Sequence, residues 1–88
     1  MSDLKAQFEQ AVADSKTLSK DPGNEVKLKL YASFKQASEG DVKGKRPGLL
    51  DFVGGAKYDA WAKMKGTSAD DAMQTYIDTI EDLKKKEG

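Results

Sequence analysis

Tyr31-Ala32-Ser33-Phe34-Lys35-Gln36-Ala37, followed by Arg46-Pro47-Gly48 and then by Ala56-Lys57-Tyr58-Asp59-Ala60-Trp61, sets aromatic rings beside lysines at helical spacing twice, with a glycine-rich connection between. In the first segment Leu30, Phe34 and Ala37 share one stripe and Leu28, Tyr31 and Lys35 the next; in the second, Lys57, Trp61 and Met64 recur at i, i+4, i+7. Both segments read as amphipathic helices.

Two further helices flank them. The first is expected over about Ser2 to Leu18, where Leu4, Phe8, Ala11, Val12, Ser15 and Leu18 fall on one face. Asp21-Pro22 then supplies a helix start, Asp as N-cap and Pro at the first helical position, and Gly40 a stop after Glu39. Residues 41–53, broken by Gly44, Pro47 and Gly48, form a long connection that Leu49, Leu50, Phe52 and Val53 are expected to tie to the core. A short third helix is predicted over Gly55 to Lys65, stopped by Gly66. Thr67-Ser68 opens the last, with Ser68 and Asp71 resembling a capping box and Ala69, Ala72, Met73, Tyr76, Ile77, Ile80 and Leu83 as its apolar stripe. Clean alternation persists nowhere, which argues against strands. The expectation is one all-α domain, a four-helix bundle spanning residues 1–88.

Fifteen basic and fifteen acidic residues leave no net charge, so nucleic acid is not favoured as a partner and any anion site must be a local arrangement of lysines. With no Cys and no His, disulfides, thiolate metal sites and the commonest catalytic bases are excluded. Phosphate-loop and nucleophile-elbow motifs are absent, and Asp70-Asp71 suits a helix N-terminus better than acid–base work. Met1-Ser2-Asp3-Leu4-Lys5 lacks a signal-peptide pattern, and no apolar run approaches the roughly 20 residues that span a bilayer. The expectation is a soluble cytoplasmic protein, without metal, cofactor or enzymatic activity.

Tyr31 and Lys35 admit two readings: a ring at the core edge with its lysine reaching into water, or a stacking surface beside a charge-assisted phosphate contact. Lys57 is either solvated or a second cation for the same ligand. Trp61 reads as a core anchor, as does Tyr76, whose hydroxyl needs a partner if buried. Arg46-Pro47-Gly48 reads as a turn, and Lys84-Lys85-Lys86 as complementing the C-terminal end of the last helix.

The ordered series Tyr31-x-x-Phe34-Lys35-Gln36-Ala37, Gly40-Asp41, Arg46-Pro47-Gly48-Leu49-Leu50-Asp51-Phe52, Ala56-Lys57-Tyr58-Asp59-Ala60-Trp61, Lys65-Gly66-Thr67-Ser68, Asp71-Ala72-Met73 and Tyr76-Ile77 closely resembles the acyl-coenzyme A binding protein family. The resemblance runs from Phe8 to the terminal lysines. It implies a four-helix, up-down-down-up bundle that binds medium- to long-chain fatty acyl-CoA without transforming it, as a monomeric intracellular carrier and pool former. It also implies no stable membrane insertion and transient contacts with enzymes that use acyl-CoA. By the same resemblance, Tyr31, Lys35 and Lys57 contact the coenzyme A head, the two lysines on the 3′-phosphate. Phe34 lies against the adenine, Tyr76 lines the site, and Lys16 lies near the ligand. Leu28, with Ala11 and Val12, borders the acyl chain. Two positions depart from the family: Phe34 stands where Tyr is usual, and Tyr58 where Trp is frequent. The competing reading is a small helical protein-interaction module, whose mark is a large exposed apolar patch without a lysine-lined cavity.

Overall fold

The computed structural model describes residues 3–87 as four helices, α1 (Asp3–Ser15), α2 (Asn24–Glu39), α3 (Phe52–Ala62) and α4 (Ala69–Glu87), with no strand among the described residues. Ser2, the expected first residue of α1, lies outside the described residues. The stripe on α4 buries Tyr76, Ile77 and Ile80 against Phe8 and Ala11 of α1, with Leu4, Val12, Leu30, Ala37, Met73 and Leu83 packed around them, and Ala72 is buried one turn earlier. Ala69, expected on this stripe, is exposed at the first turn. Burying a side chain such as that of Ile80 contributes about 1.5–3 kcal/mol, so this seam carries much of the apolar stabilisation.

Contacts between residues distant in sequence set the helix directions. Tyr31 and Lys35 of α2 meet Lys57 and Trp61 of α3 pairwise, at 5.3 and 5.0 Å from ammonium to ring centre. The same four-residue step forward on both helices means that α2 and α3 run parallel. Phe8 meets Tyr76, and Asp14 meets Lys84, so α1 and α4 are parallel too. Phe34 meets Tyr76 while Val26 lies by Leu83, so α2 and α4 are antiparallel. The order is up-down-down-up. Parallel neighbours require the connecting chain to return the length of a helix, and residues 40–51 make that return.

Several ends differ from expectation. α1 stops at Ser15, where the Ser15 and Thr17 hydroxyls donate to the carbonyls of Val12 and Asp14 and end the ladder before Leu18. Asp21 does not cap α2. Its carboxylate accepts from the Gly23 N–H and the Lys27 ammonium, and the helix begins after Gly23 at φ 92°, with Pro22 outside it. α3 begins and ends three residues earlier than predicted, because Asp51 is its N-cap, accepting from the Gly54 N–H at 2.8 Å. Gly40, at φ 82°, closes α2 as expected, and Ser68 Oγ accepts from the Asp71 N–H, the forward half of the capping box.

The largest correction concerns the long connection. Leu49, Leu50, Phe52 and Val53 do not tie it to the core; they are 85, 92, 79 and 67 % exposed. Polar bonds hold the loop instead. Arg46 grips Asp59 through Nε and Nη2 at 2.9 and 3.0 Å, the Tyr58 hydroxyl donates to Gly44 O, and Trp61 Nε1 donates to Gly40 O. Asp41 fastens the far side, accepting from the Gly66 N–H and from Gln36 Nε2, which also donates to Thr67 O.

Candidate functional site

The end of α1, the α1–α2 connection and α2 line an open groove of about 680 Å³, to which α3 adds Lys57 and α4 adds Tyr76. Its rings form a cluster. Phe8, buried, stacks on Phe34 at 6.0 Å between centres and meets Tyr76 edge-on at 5.3 Å. Phe34 is 39 % exposed: one face rests on Phe8 and the rest of the ring looks into the groove. Such a half-covered ring, held in place by two others, is a surface on which a flat heterocycle can stack.

Lysines surround this floor. Lys16, Lys27 and Lys57 line the groove together with Val12, Tyr31 and Tyr76. Lys57 reaches from α3 over the Tyr31 ring, so charge and ring are presented as a unit. On the far side of Lys27 and Lys57 lies a second, mostly apolar cavity of about 320 Å³, lined by Asn24, Leu28, Phe52, Val53 and Ala56. The two lysines thus stand between a wide polar-rimmed groove and a narrower apolar cavity.

Of the nine residues singled out from sequence, the groove brings together Val12, Lys16, Tyr31, Phe34, Lys57 and Tyr76. Leu28 lies in the adjoining cavity. Ala11 is buried in the α1–α4 seam beneath the floor and lines neither space. Lys35 also stands outside both linings, against Trp61 and bonded to Glu39. The Glu39 carboxylate holds the Lys35 ammonium above its ordinary pKa, and Lys35 in turn lowers that of Glu39.

Sequence reasoning did not single out Lys27, which lines both spaces, nor Gln36, almost wholly buried between α2 and the α3–α4 turn. Lys27 lies four residues before Tyr31 on the same helical face, a spacing that could have drawn notice. Nothing local distinguishes Gln36, because its partners Asp41 and Thr67 follow at sequence separations of 5 and 31. Among the described residues no group of three or more Asp, Glu, His or Cys side chains could hold a metal ion.

Comparison with known proteins assigns the chain. The acyl CoA binding protein family matches residues 5–80. The chain belongs to the acyl-CoA-binding protein family. An acyl-CoA-binding protein homolog of Manduca sexta is 48 % identical over 81 residues, covering 91 % of this chain and 90 % of that protein. Enoyl-CoA delta isomerase 2 of Rattus norvegicus is 49 % identical over 76 residues, 86 % of this chain, but the match covers 19 % of that longer protein. Among solved structures, acyl-CoA-binding protein 2 of Oryza sativa superposes with a TM-score of 0.90 at 37 % identity, over 96 % of this chain and 93 % of that one. Family and fold together support acyl-CoA binding by this acyl-CoA-binding protein family member. No helix among its described residues is long and apolar enough to cross a membrane.

Proposed function

We propose that this protein binds medium- to long-chain fatty acyl-CoA one-to-one and releases it unchanged, as a carrier and pool former. The carrying observation is Lys57 over the Tyr31 ring at the boundary shared by the groove and the apolar cavity. In this reading the adenine stacks on Phe34 and beside Tyr31, lysines neutralise the phosphates, and the acyl tail passes Lys27 and Lys57 toward Leu28 and Ala56. A cation held over a ring gives a phosphate a charge-assisted bond and a base a stacking face at one place. Each methylene taken from water contributes up to ~0.8 kcal/mol, so the tail sets affinity while the head sets specificity.

Lys35 enters this reading through its pair with Glu39. The Lys35 side chain is 23 % exposed and its ammonium lies over the Trp61 ring; in this reading it turns from the Glu39 carboxylate to a ligand phosphate. Catalysis has no support in the groove lining, which offers neither a His nor a Cys to act as base or nucleophile. The activity named for the isomerase belongs to a protein of which the matched region is a minor part. A monomer acting in the cytoplasm and meeting acyl-CoA-using enzymes transiently is the corresponding physiological picture.

Isothermal titration calorimetry with palmitoyl-CoA, free coenzyme A and palmitate tests the reading. Tight one-to-one binding of the ester, with both fragments much weaker, is expected. Free coenzyme A binding as tightly as the ester would remove the role assigned to the apolar cavity.

A further inference from the structure

We propose that Lys27, held in place by Asp21, recognises the thioester carbonyl of the acyl-CoA and so distinguishes an acyl thioester from a coenzyme A derivative that lacks the carbonyl. This role rests on the acyl-CoA binding proposed above and adds to it a residue that sets specificity at the joint of the ligand.

Lys27 and Lys57 each line both the wide groove and the narrower apolar cavity. With the coenzyme A head in the first space and the acyl tail in the second, the boundary between them receives the part of the ligand where the polar pantetheine arm gives way to hydrocarbon. That part is the thioester, a neutral group whose carbonyl oxygen accepts hydrogen bonds.

The two boundary lysines are not alike. Lys57 lies over the Tyr31 ring and is bonded to no carboxylate among the described residues, so it presents a full positive charge. Lys27 Nζ donates to Asp21 Oδ2 at 2.9 Å, reaching back across the turn at Gly23. The Asp21 carboxylate accepts in addition from the Gly23 N–H at 2.8 Å, and this bond, followed by that of Lys27, holds its pKa below the ordinary carboxylate value. Asp21 itself lines the groove.

The Asp21–Lys27 pair therefore carries no net charge. A phosphate needs a counter-charge, which Lys57 offers and the pair does not; a carbonyl needs only a donor. An ammonium has three N–H donors, and Asp21 takes one, so two remain for a ligand acceptor without breaking the pair. Asp21 meanwhile restricts a long side chain to the boundary, which lowers the cost of ordering it on binding. The side chains of Lys27 and Asp21 are 53 and 67 % exposed, within reach of a ligand, and an ion pair this open adds little to the stability of the fold. Lys27 also precedes Tyr31 by four residues, so the donor and the ring that Lys57 covers share one face of α2.

The test is calorimetry with palmitoyl-CoA, with S-hexadecyl-CoA (the thioether of the same chain length, a methylene in place of the carbonyl) and with free coenzyme A. The ligands are titrated into the parent protein, Lys27→Met and Lys27→Arg. The parent is expected to bind the ester about three- to tenfold more tightly than the thioether. Lys27→Met, which keeps the length of the side chain without its donors, is expected to lose that preference while binding free coenzyme A as the parent does. Lys27→Arg, which keeps donors, is expected to retain the preference. Comparing ratios rather than affinities cancels the greater apolarity of the thioether and any general effect of the substitution. An unchanged ester-to-thioether ratio in Lys27→Met would overturn the proposal. So would an equal loss of free coenzyme A and ester affinity in that variant, which would make Lys27 a phosphate ligand. A parent that binds ester and thioether equally tightly would remove this role and leave acyl-CoA binding standing, whereas a parent that binds neither would remove both.

Discussion

Lys35 lies 5.0 Å from the centre of the Trp61 ring and is bonded to Glu39, on the α2–α3 seam and outside the lining of the groove that Tyr31 shares with Lys57. Two lysines that look equivalent in sequence therefore start from different states: Lys57 faces the groove over a ring, while Lys35 is engaged by a carboxylate of its own helix.

If Lys35 serves a ligand phosphate, Glu39 competes for it. Glu39→Gln is expected to tighten coenzyme A binding a few-fold at low salt, and Lys35→Ala to weaken it about tenfold or more. In the Lys35→Ala background the Glu39→Gln gain should disappear. Calorimetry on the four proteins checks this, and weaker binding by Glu39→Gln alone would contradict the competition.

Lys57→Ala should weaken acyl-CoA binding by about ten- to a hundredfold and leave the thermal midpoint close to that of the parent, because Lys57 is exposed and its ammonium lies over the half-buried Tyr31 ring rather than in the core. Parallel calorimetry and thermal denaturation separate the two effects. A large fall in the midpoint would make Lys57 a structural residue.

Phe34→Tyr keeps the ring that stacks on Phe8 and adds a hydroxyl on a residue already 39 % exposed. Binding equal to or tighter than that of the parent is expected, with stability nearly unchanged. Phe34→Ala removes the stacking face and uncovers Phe8, so it should both weaken binding and lower the midpoint.

Asp41 makes the fold sensitive to acid. Its carboxyl is held below the ordinary carboxylate range, first by the Gly66 N–H and then by Gln36. The folded form thus takes up a proton less readily than the unfolded chain. Its stabilisation is complete above the ordinary carboxylate range, near pH 4, and is lost as pH falls through the lower folded value. The same direction holds for Asp59, beside Arg46, and for Asp14, beside Lys84. Thermal midpoints should therefore be flat through neutrality, where neither His nor Cys is present to titrate, and fall steeply in acid. Asp41→Asn should lower the midpoint by a few degrees at pH 7 and shallow the acid slope; an unchanged slope would remove Asp41 from the account.

Ile80 is fully buried where α4 packs on α1. Ile80→Ala is expected to destabilise by about 2–5 kcal/mol, a large part of the stability of a chain this small, as read by urea or thermal unfolding. A loss below about 1 kcal/mol would mean that the α1–α4 seam closes over the missing methyl groups.

Much of the helical framework was legible from local signals. The 3.6-residue stripe of α4, the glycine that ends α2 and the serine that opens α4 each act within one or two turns, so residue types suffice to read them. Asp21 and Asp51 show the limit of such reading. Both are plausible caps, yet Asp21 is used by a turn and Lys27, while Asp51 caps α3, because the chain path on each side decides which N–H the carboxylate meets. The candidate site divides in the same way. The ring and lysine pattern marked Tyr31, Phe34 and Lys57, but could not show Ala11 under the floor or Lys35 turned to the seam.

The sequence by itself determined that the chain is helical, where its apolar stripes lie, and that any anion site must be built from lysines and rings, since periodicity and composition are local properties. The tertiary structure decided that α2 and α3 run parallel, so that Lys57 covers Tyr31 and Lys35 meets Trp61. It also decided that Leu49, Leu50, Phe52 and Val53 stay in water, because Arg46, Tyr58, Trp61 and Asp41 fasten the long connection with polar bonds to residues far along the chain. An apolar residue type records what burial would gain, while the path of the chain decides whether anything covers it.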